Sequence, residues 1–326
     1  MTSANPGCRT EPPRNPADLD AWDDAVVSTY ALRRQVVQSS TLTARLFQAG
    51  PRRLLANAPY LEYGGIAGGD VPLTSADLCV MDEARRAAAA PALLLKSDRL
   101  LTEPSTAVAV DDRYVSFTLE LDRDAQALWR DALDGKTRNQ VRKAERGDFT
   151  VRFGGADMLV DFQRVITEVW RDLGTPSHAA RLFSRVAETF GPACRVPVVY
   201  DGAVPVAAAL LLEVNGTLHH PFAGTRRSYR HTSVNNLLYW RIIRDACERG
   251  LHTFDLGRSA PDAGTYRFKK SWGATPRPLF YHYLVARGDR APSLETAAVR
   301  IATRAWKYCP LWLSRQLGPK LIRYIL

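Results

Sequence analysis

The sequence predicts an α+β fold, and three observations carry that prediction. Residues 195–222 hold three apolar runs separated by two turn dipeptides: Arg195–Tyr200 meets Asp201-Gly202, Val204–Val214 meets Asn215-Gly216, and Thr217–Phe222 follows. Asp-Gly and Asn-Gly supply the positive φ of tight hairpin turns, so the three runs read as an antiparallel meander. Helical spacing flanks the meander, at Asp157–Asp172 and Ala179–Phe190 before it and at Asn235–Arg249 after it, where Gly250 ends the helix. Strand patterns then return at His252–Leu256 and Phe280–Val285. Antiparallel pairing with helices grouped around it is the α+β arrangement rather than alternating βαβ units.

The remaining elements follow from local pattern. Residues 1–20 are polar and Pro-rich, and are expected to form a disordered lead-in. Asp18–Gln38 has helical spacing at Trp22, Val26, Tyr30 and Val37. Arg53–Ile66 reads as an extended segment running into Tyr63-Gly64-Gly65, where two glycines mark a turn. Ala76–Lys96 combines a helical patch with the strand-like Ala92–Leu95, and Tyr114–Leu121 alternates as a strand does. Asp124–Arg146 reads as one long basic helix, and Phe149–Phe153 as a strand. Ala297–Trp306 and Trp312–Tyr324 are terminal helices separated by Pro310. The predicted division is a lead-in at 1–20, domains at 21–150 and 151–290, and terminal helices at 291–326.

Composition narrows the function. The chain has 326 residues, 46% hydrophobic and 24% charged, enough for a substantial core. Its net charge of +10 favours phosphate-bearing or polyanionic partners. Cys8, Cys79, Cys194, Cys247 and Cys309 are scattered, which argues against a disulfide framework or a zinc knuckle. With no long apolar run at the N-terminus, a cytoplasmic location is expected. No nucleophile elbow, Walker A motif, dinucleotide fingerprint or H-E-x-x-H occurs, so no metal or dissociable cofactor is expected. His219-His220 falls inside the third meander strand, where one ring is expected to pack and the other to meet solvent.

Two segments carry candidate chemistry. Ala223–Asn236 follows the meander with one glycine but with Arg226, Arg227, Arg230 and His231, a poor backbone cradle for a pyrophosphate and a good set of side-chain phosphate contacts. Phe254–Gly273 ends a strand and continues into GTYRFKKSWG, which sets cations among aromatics. A fixed ammonium there would stabilise the charge that develops on a carbonyl oxygen when an amine attacks an activated ester, with no side-chain nucleophile.

Phe254–Gly273, together with Lys136–Val151 and Leu61–Gly65, resembles the Fem-type aminoacyltransferases, the FemABX family and its FemAB-like relatives within the GNAT superfamily. The resemblance runs from about Leu46 to the C-terminus. It implies two GNAT-like domains with a channel active site, the first domain truncated because only about sixty residues precede the Tyr-Gly-Gly turn. It also implies transfer of an aminoacyl group from aminoacyl-tRNA, as co-substrate, to an amine on a cell-wall (muropeptide-like) precursor or a smaller peptide-like metabolite. On the Phe-Lys-Lys match, Lys269 stabilises the transition state and Phe268 positions it. Substrate contacts are expected from Tyr63, Arg258, Tyr266, Arg267 and Lys270, and acceptor-phosphate contacts from Thr175, His178 and Arg181. Arg138 and Arg142, four residues apart, form a cationic stripe suited to phosphate. Two alternatives remain: an acyl-CoA-dependent N-acyltransferase acting on an envelope sugar or small amine, and a non-catalytic module binding RNA or an anionic glycan. The C-terminal RAWKYCPLWLSRQLGPKLIRYIL suits peripheral membrane contact, although the breaks at Pro310 and Pro319 favour a packed terminal helix.

Overall fold

The computed structural model describes residues 14–68, 71–261, 263–286 and 296–325. In chain order the helices are α1 (Asp20–Tyr30), α2 (Ser75–Ala87), α3 (Ala125–Ala127), α4 (Gly135–Glu145), α5 (Leu159–Leu173), α6 (Ala180–Phe190), α7 (Val234–Glu248), α8 (Gly264–Lys270), α9 (Ala297–Trp306) and α10 (Leu311–Ile322). The strands are β1 (Arg33–Gln38), β2 (Leu42–Gln48), β3 (Leu55–Ala56), β4 (Ile66–Gly68), β5 (Ala92–Ser97), β6 (Val108–Glu120), β7 (Phe149–Gly154), β8 (Cys194–Asp201), β9 (Val204–Val214), β10 (Thr217–Thr225), β11 (Thr253–Ser259) and β12 (Thr275–Val285).

Among the described residues the strands form one mixed sheet, ordered β1-β2-β3-β5-β12-β6-β11-β10-β9-β8-β7, with β4 also on β2. Pairing is antiparallel except for β3 with β5 and β10 with β11. The meander occupies β8–β10, and its turns use Gly202, Asn215 and Gly216 at positive φ. Strand β12 inserts between β5 and β6, so the sheet runs unbroken through both halves of the chain.

Helices cover both faces of the β7–β10 region. On one face α1, α5 and α6 bury Trp22, Phe162 and Phe183. On the other, α4 and α7 close over Phe117, Phe254 and Trp272. This two-sided cover explains why Pro205–Leu212 is buried throughout, with no polar alternation. Residues 33–110 have a separate core around Leu46, Met81 and Leu93.

Three expectations change. The helix expected over Asp18–Gln38 ends at Tyr30, because Ala31 turns left-handed (φ 52°), and Arg33–Gln38 becomes an edge strand on β2. The long helix expected over Asp124–Arg146 breaks into α3, a π-type turn at Leu128–Ala132, and α4. Leu133 is extended there, and the Asp134 carboxylate caps α4 by accepting from the Thr137 N–H. Residues 1–13 of the expected lead-in, and the 290/291 boundary, lie outside the described residues. The rest of that lead-in is built into the fold: Asn15 and Asp18 close a capping box around Pro16–Asp18, and Ala17 is buried.

Candidate active site

The site forms where the two parallel central strands part. β10 and β11 pair only over Thr217–His219 and Thr253–Asp255. Immediately beyond, both strands bulge. The register of β10 against β9 shifts between His219 and Phe222, at His220-Pro221, and Pro221 has no N–H for a ladder. The register of β11 against β6 shifts between Asp255 and Arg258, where Gly257 has φ 70°. The strands diverge around a cleft of about 220 Å³ lined by His219, His220, Asp255, Arg258, Thr265 and Lys269, with the loop carrying Tyr60, Glu62 and Tyr63 as a further wall.

The bulge in β11 positions the lysine. The carbonyls of Gly257 and Arg258 each accept from Lys269 Nζ at 2.8 Å. An ammonium has three donors, so one is left for the cleft. Burial pushes the Lys269 pKa down to about 8, against the pull of Glu62 and Asp255 and with the push of Arg258. At neutral pH it is mostly charged.

Asp255 anchors the floor. It accepts from Tyr63 OH (2.7 Å), Ser116 Oγ (2.9 Å) and the Gly257 N–H (2.7 Å), and His219 Nδ1 lies 3.5 Å away. Burial alone would raise its pKa, but the donors from His219, Tyr63 and Gly257 outweigh that and hold the carboxyl below its usual range. The His219 Nε2 and His220 Nδ1 atoms are buried without a partner among the described residues. Burial pushes His220 down to about 3, so it is neutral at pH 7. Glu62 pairs with Arg258 (2.9 Å), whose guanidinium also lies over the Tyr114 ring at 4.5 Å.

Of the residues singled out by sequence, Tyr63, Arg258 and Lys269 meet in this cleft. Phe268 stands behind it, edge-on to Tyr239 at 4.9 Å and to Trp272 at 6.0 Å. Along α8, Thr265 and Lys269 are one turn apart and face the cleft. Tyr266 packs on Phe117 instead, and Arg267 and Lys270 are exposed on the outer side. Arg138 donates to the carbonyls of Trp129, Arg130 and Leu133, tying off the π-type turn, and Arg142 lies over Trp129. His178 sits in an aromatic cluster with its Nδ1 2.7 Å from Tyr30 OH, while Thr175 and Arg181 are exposed away from the cleft. Neither His219 nor His220 is the solvated histidine expected; both line the cleft. Sequence reasoning gave no site role to Asp255, Ser116 or Glu62, and read His219-His220 as one packed and one solvated ring rather than as cleft residues. Two local signals pointed to three of these residues: His219-His220-Pro221 inside a strand, and Asp255-Leu256-Gly257 at a strand end; Ser116 and Glu62 have no such mark.

Among the described residues no group of three His, Cys, Asp or Glu side chains is placed to hold a metal ion, and no helix is long and apolar enough to cross a membrane.

Comparison with known proteins agrees with the architecture. The family model of the GNAT acetyltransferase domain matches residues 134–270. No curated protein matches the chain. The structure of FemX superposes with a TM-score of 0.61 at 14% identity, covering 84% of this chain and 93% of FemX. The C-terminal domain of a protein assigned as a lysylphosphatidylglycerol synthetase of Agrobacterium fabrum gives 0.55 at 13% identity, covering 87% and 92%. A tandem GNAT protein from the clavulanic acid biosynthesis pathway gives 0.55 at 12% identity, covering 86% and 91%. Residues 134–270 thus match a GNAT acetyltransferase domain, and the chain as a whole shares its fold with FemX and with the tandem GNAT protein.

Proposed function

We propose that this protein is an acyltransferase that moves an aminoacyl group from aminoacyl-tRNA to an amine acceptor, forming an amide bond in the β10/β11 cleft. The observation that carries the reading is the buried Lys269 ammonium, fixed on two carbonyls with a donor to spare, opposite a histidine backed by a carboxylate. The acceptor nitrogen attacks the ester carbonyl carbon. The carbon–nitrogen bond forms, charge collects on the carbonyl oxygen, and Lys269 stabilises it. Asp255 beside Nδ1 leaves His219 Nε2 as the free acceptor, which takes the proton from the attacking nitrogen and returns it to the departing ribose oxygen as the ester bond breaks.

The +10 charge and the Arg-rich Arg226–His231 segment support a polyanionic donor. The resemblance of Phe254–Gly273 to the Fem-type aminoacyltransferases favours an aminoacyl group over a simple acetyl group. The acceptor is an amine on a cell-wall precursor or a peptide-like metabolite, reached past Tyr60, Glu62 and Tyr63. The test follows labelled amino acid from charged tRNA into amide product with candidate amines. Turnover that needs both charged tRNA and amine is the expected result, and product formation indifferent to tRNA under every acceptor sinks the reading.

One observation favours acyl-CoA as donor instead. The N-terminus of α7 has no side-chain cap at Ser233 and lies next to Arg226, Arg227 and Arg230, an arrangement able to take a pyrophosphate. Micromolar CoA binding by calorimetry, with no response to tRNA, selects that donor.

A further inference from the structure

We propose that α9 and α10 form a docking surface for an anionic phospholipid bilayer, separate from the cleft. Ile322 packs inward and Trp306, Leu311 and Leu313 are half-buried, but the two helices turn a further set of large apolar residues outward. The residues of α10 buried against the body are Ser314, Gly318 and Ile322, spaced one turn apart. The contact is close: a Cβ on Gly318 would lie 2.5 Å from Ser177 Oγ, and Ser177 Oγ donates to the Ser314 carbonyl. That leaves Trp312, Leu317, Leu321 and Tyr324 exposed. Helix α9 has no buried residue, and it meets α5 where the Thr303 backbone passes Gly174. Its Ile301 is 68% exposed, Tyr308 just beyond it is 88% exposed, and Trp312 at the start of α10 is 63% exposed. A terminal helix pair that only needed to cover the core would bury these side chains and leave the serine and glycine outside.

Charge selects the occupant. Residues 296–325 carry Arg300, Arg304, Lys307, Arg315, Lys320 and Arg323 and no Asp or Glu, so this tenth of the chain holds +6 of the net +10. On α9 the cations at 300, 304 and 307 share one side, and Ala298, Ile301, Ala305 and Tyr308 share the other. Basic residues flanking an outward arc of Ile, Leu, Trp and Tyr suit the boundary between lipid headgroups and acyl chains. A second copy of the same surface would set six cations against six. A nucleic-acid phosphate backbone would engage the cations and leave Ile301, Leu317 and Leu321 in water.

The full chain is mixed with vesicles of phosphatidylcholine alone or of phosphatidylcholine with phosphatidylglycerol, and the bound fraction is read by co-sedimentation. Ile301→Asp and Trp312→Asp lie at exposed positions, and their melting curves should match the parent. The expected result is binding to the anionic vesicles, weakened by salt, with at least about ten-fold loss of partition in the double variant. Three results overturn the proposal: no binding to anionic vesicles, equal binding to neutral vesicles, or binding that the double variant leaves intact. Self-association or tRNA binding that the double variant abolishes, while vesicle binding stays absent, assigns the surface to a second copy or to RNA.

Discussion

Replacing Lys269 with Met separates a catalytic ammonium from a structural one. Two of its three protons go to the Gly257 and Arg258 carbonyls at 2.8 Å, and the third is available to a developing oxyanion. Losing one preorganised donor of that kind costs about 2.7–4 kcal/mol, or roughly 10²–10³ in kcat. Stability should change far less. Lowering the pKa from 10.5 to about 8 means that burying the charge costs about 3 kcal/mol. The variant sheds that cost but leaves two carbonyls unpaired, at about 1–3 kcal/mol each. The pH dependence carries opposite signs for the two properties. Activity needs the ammonium, so kcat should fall as pH rises through about 8. Between about 8 and 10.5 the unfolded chain holds a proton that the folded one has lost, so stability should rise with pH there, and that rise should vanish in the variant. Single-turnover amide formation and urea melts across pH 6–10 measure both. A kcat within about ten-fold of the parent, a loss confined to KM, or a rate that climbs above pH 8 would refute the assignment.

Asp255→Asn should lower kcat by about 10²–10³ with little change in substrate binding, because the amide no longer fixes His219 with Nε2 as acceptor; an unchanged pH–rate profile in single-turnover assays argues against that role. Burial pushes His178 and His220 down to about 3, below an ordinary 6.5, so each should remove stability as pH falls, by about 1.4 kcal/mol per pH unit between pH 6 and 4. Burial also lowers His282 to about 4, so urea melts of His178→Gln should show the combined slope reduced by about 1.4 kcal/mol per pH unit, and an unaltered slope contradicts the burial reasoning. Gly174→Ala should loosen α9, since Gly174 has φ 84° and a Cβ there would lie 2.4 Å from the Thr303 carbonyl oxygen. The expected cost is about 1–2 kcal/mol, read as faster proteolysis within 296–325, and unchanged cleavage speaks against the contact.

The parts of the fold legible in the sequence are those set by local chemistry. Asp-Gly and Asn-Gly specify the meander because Gly202, Asn215 and Gly216 must take positive φ, and they do. The ends of α7 and α5 follow from Gly250 and Gly174 in the same way. Misreadings arise where a helical period continues by coincidence. Val37 falls seven residues after Tyr30, yet Arg33–Gln38 pairs with β2 once Ala31 ends the helix. At Asp124–Arg146 the Asp134-Gly135 pair was the visible sign of a break, and it caps α4. At the site, Lys269 is legible from its aromatic neighbours, whereas His219 and Asp255 are 36 residues apart and meet only because β10 and β11 pair in that register. Counting cations misleads for the same reason. Arg138, Arg267 and Lys270 look like Lys269 in sequence, but helix phase turns them toward carbonyls or solvent.

The N-terminal half contributes a wall of the cleft, and with it control over the charge of Lys269. The loop from Ala58 to Gly65 carries Tyr60, Glu62 and Tyr63, with positive φ at Ala58, Tyr60, Gly64 and Gly65. It is held from below by the Asn57 amide, which donates to the carbonyls of Gly64 and Lys96, and by the buried Lys96 ammonium on the carbonyls of Ala58 and Leu61. Asp18 holds it from the side through the Gly65 N–H. These contacts fix Glu62 against Arg258 and Tyr63 against Asp255. Glu62 and Asp255 raise the Lys269 pKa and Arg258 lowers it. A loop that moved away would remove Glu62, which favours the neutral amine, but it would also relieve the burial that is the largest cause of the lowered pKa, which favours the ammonium. The seated loop therefore keeps Lys269 both dry and partnered: burial holds its pKa near 8, while Glu62 and Asp255 limit how far it falls.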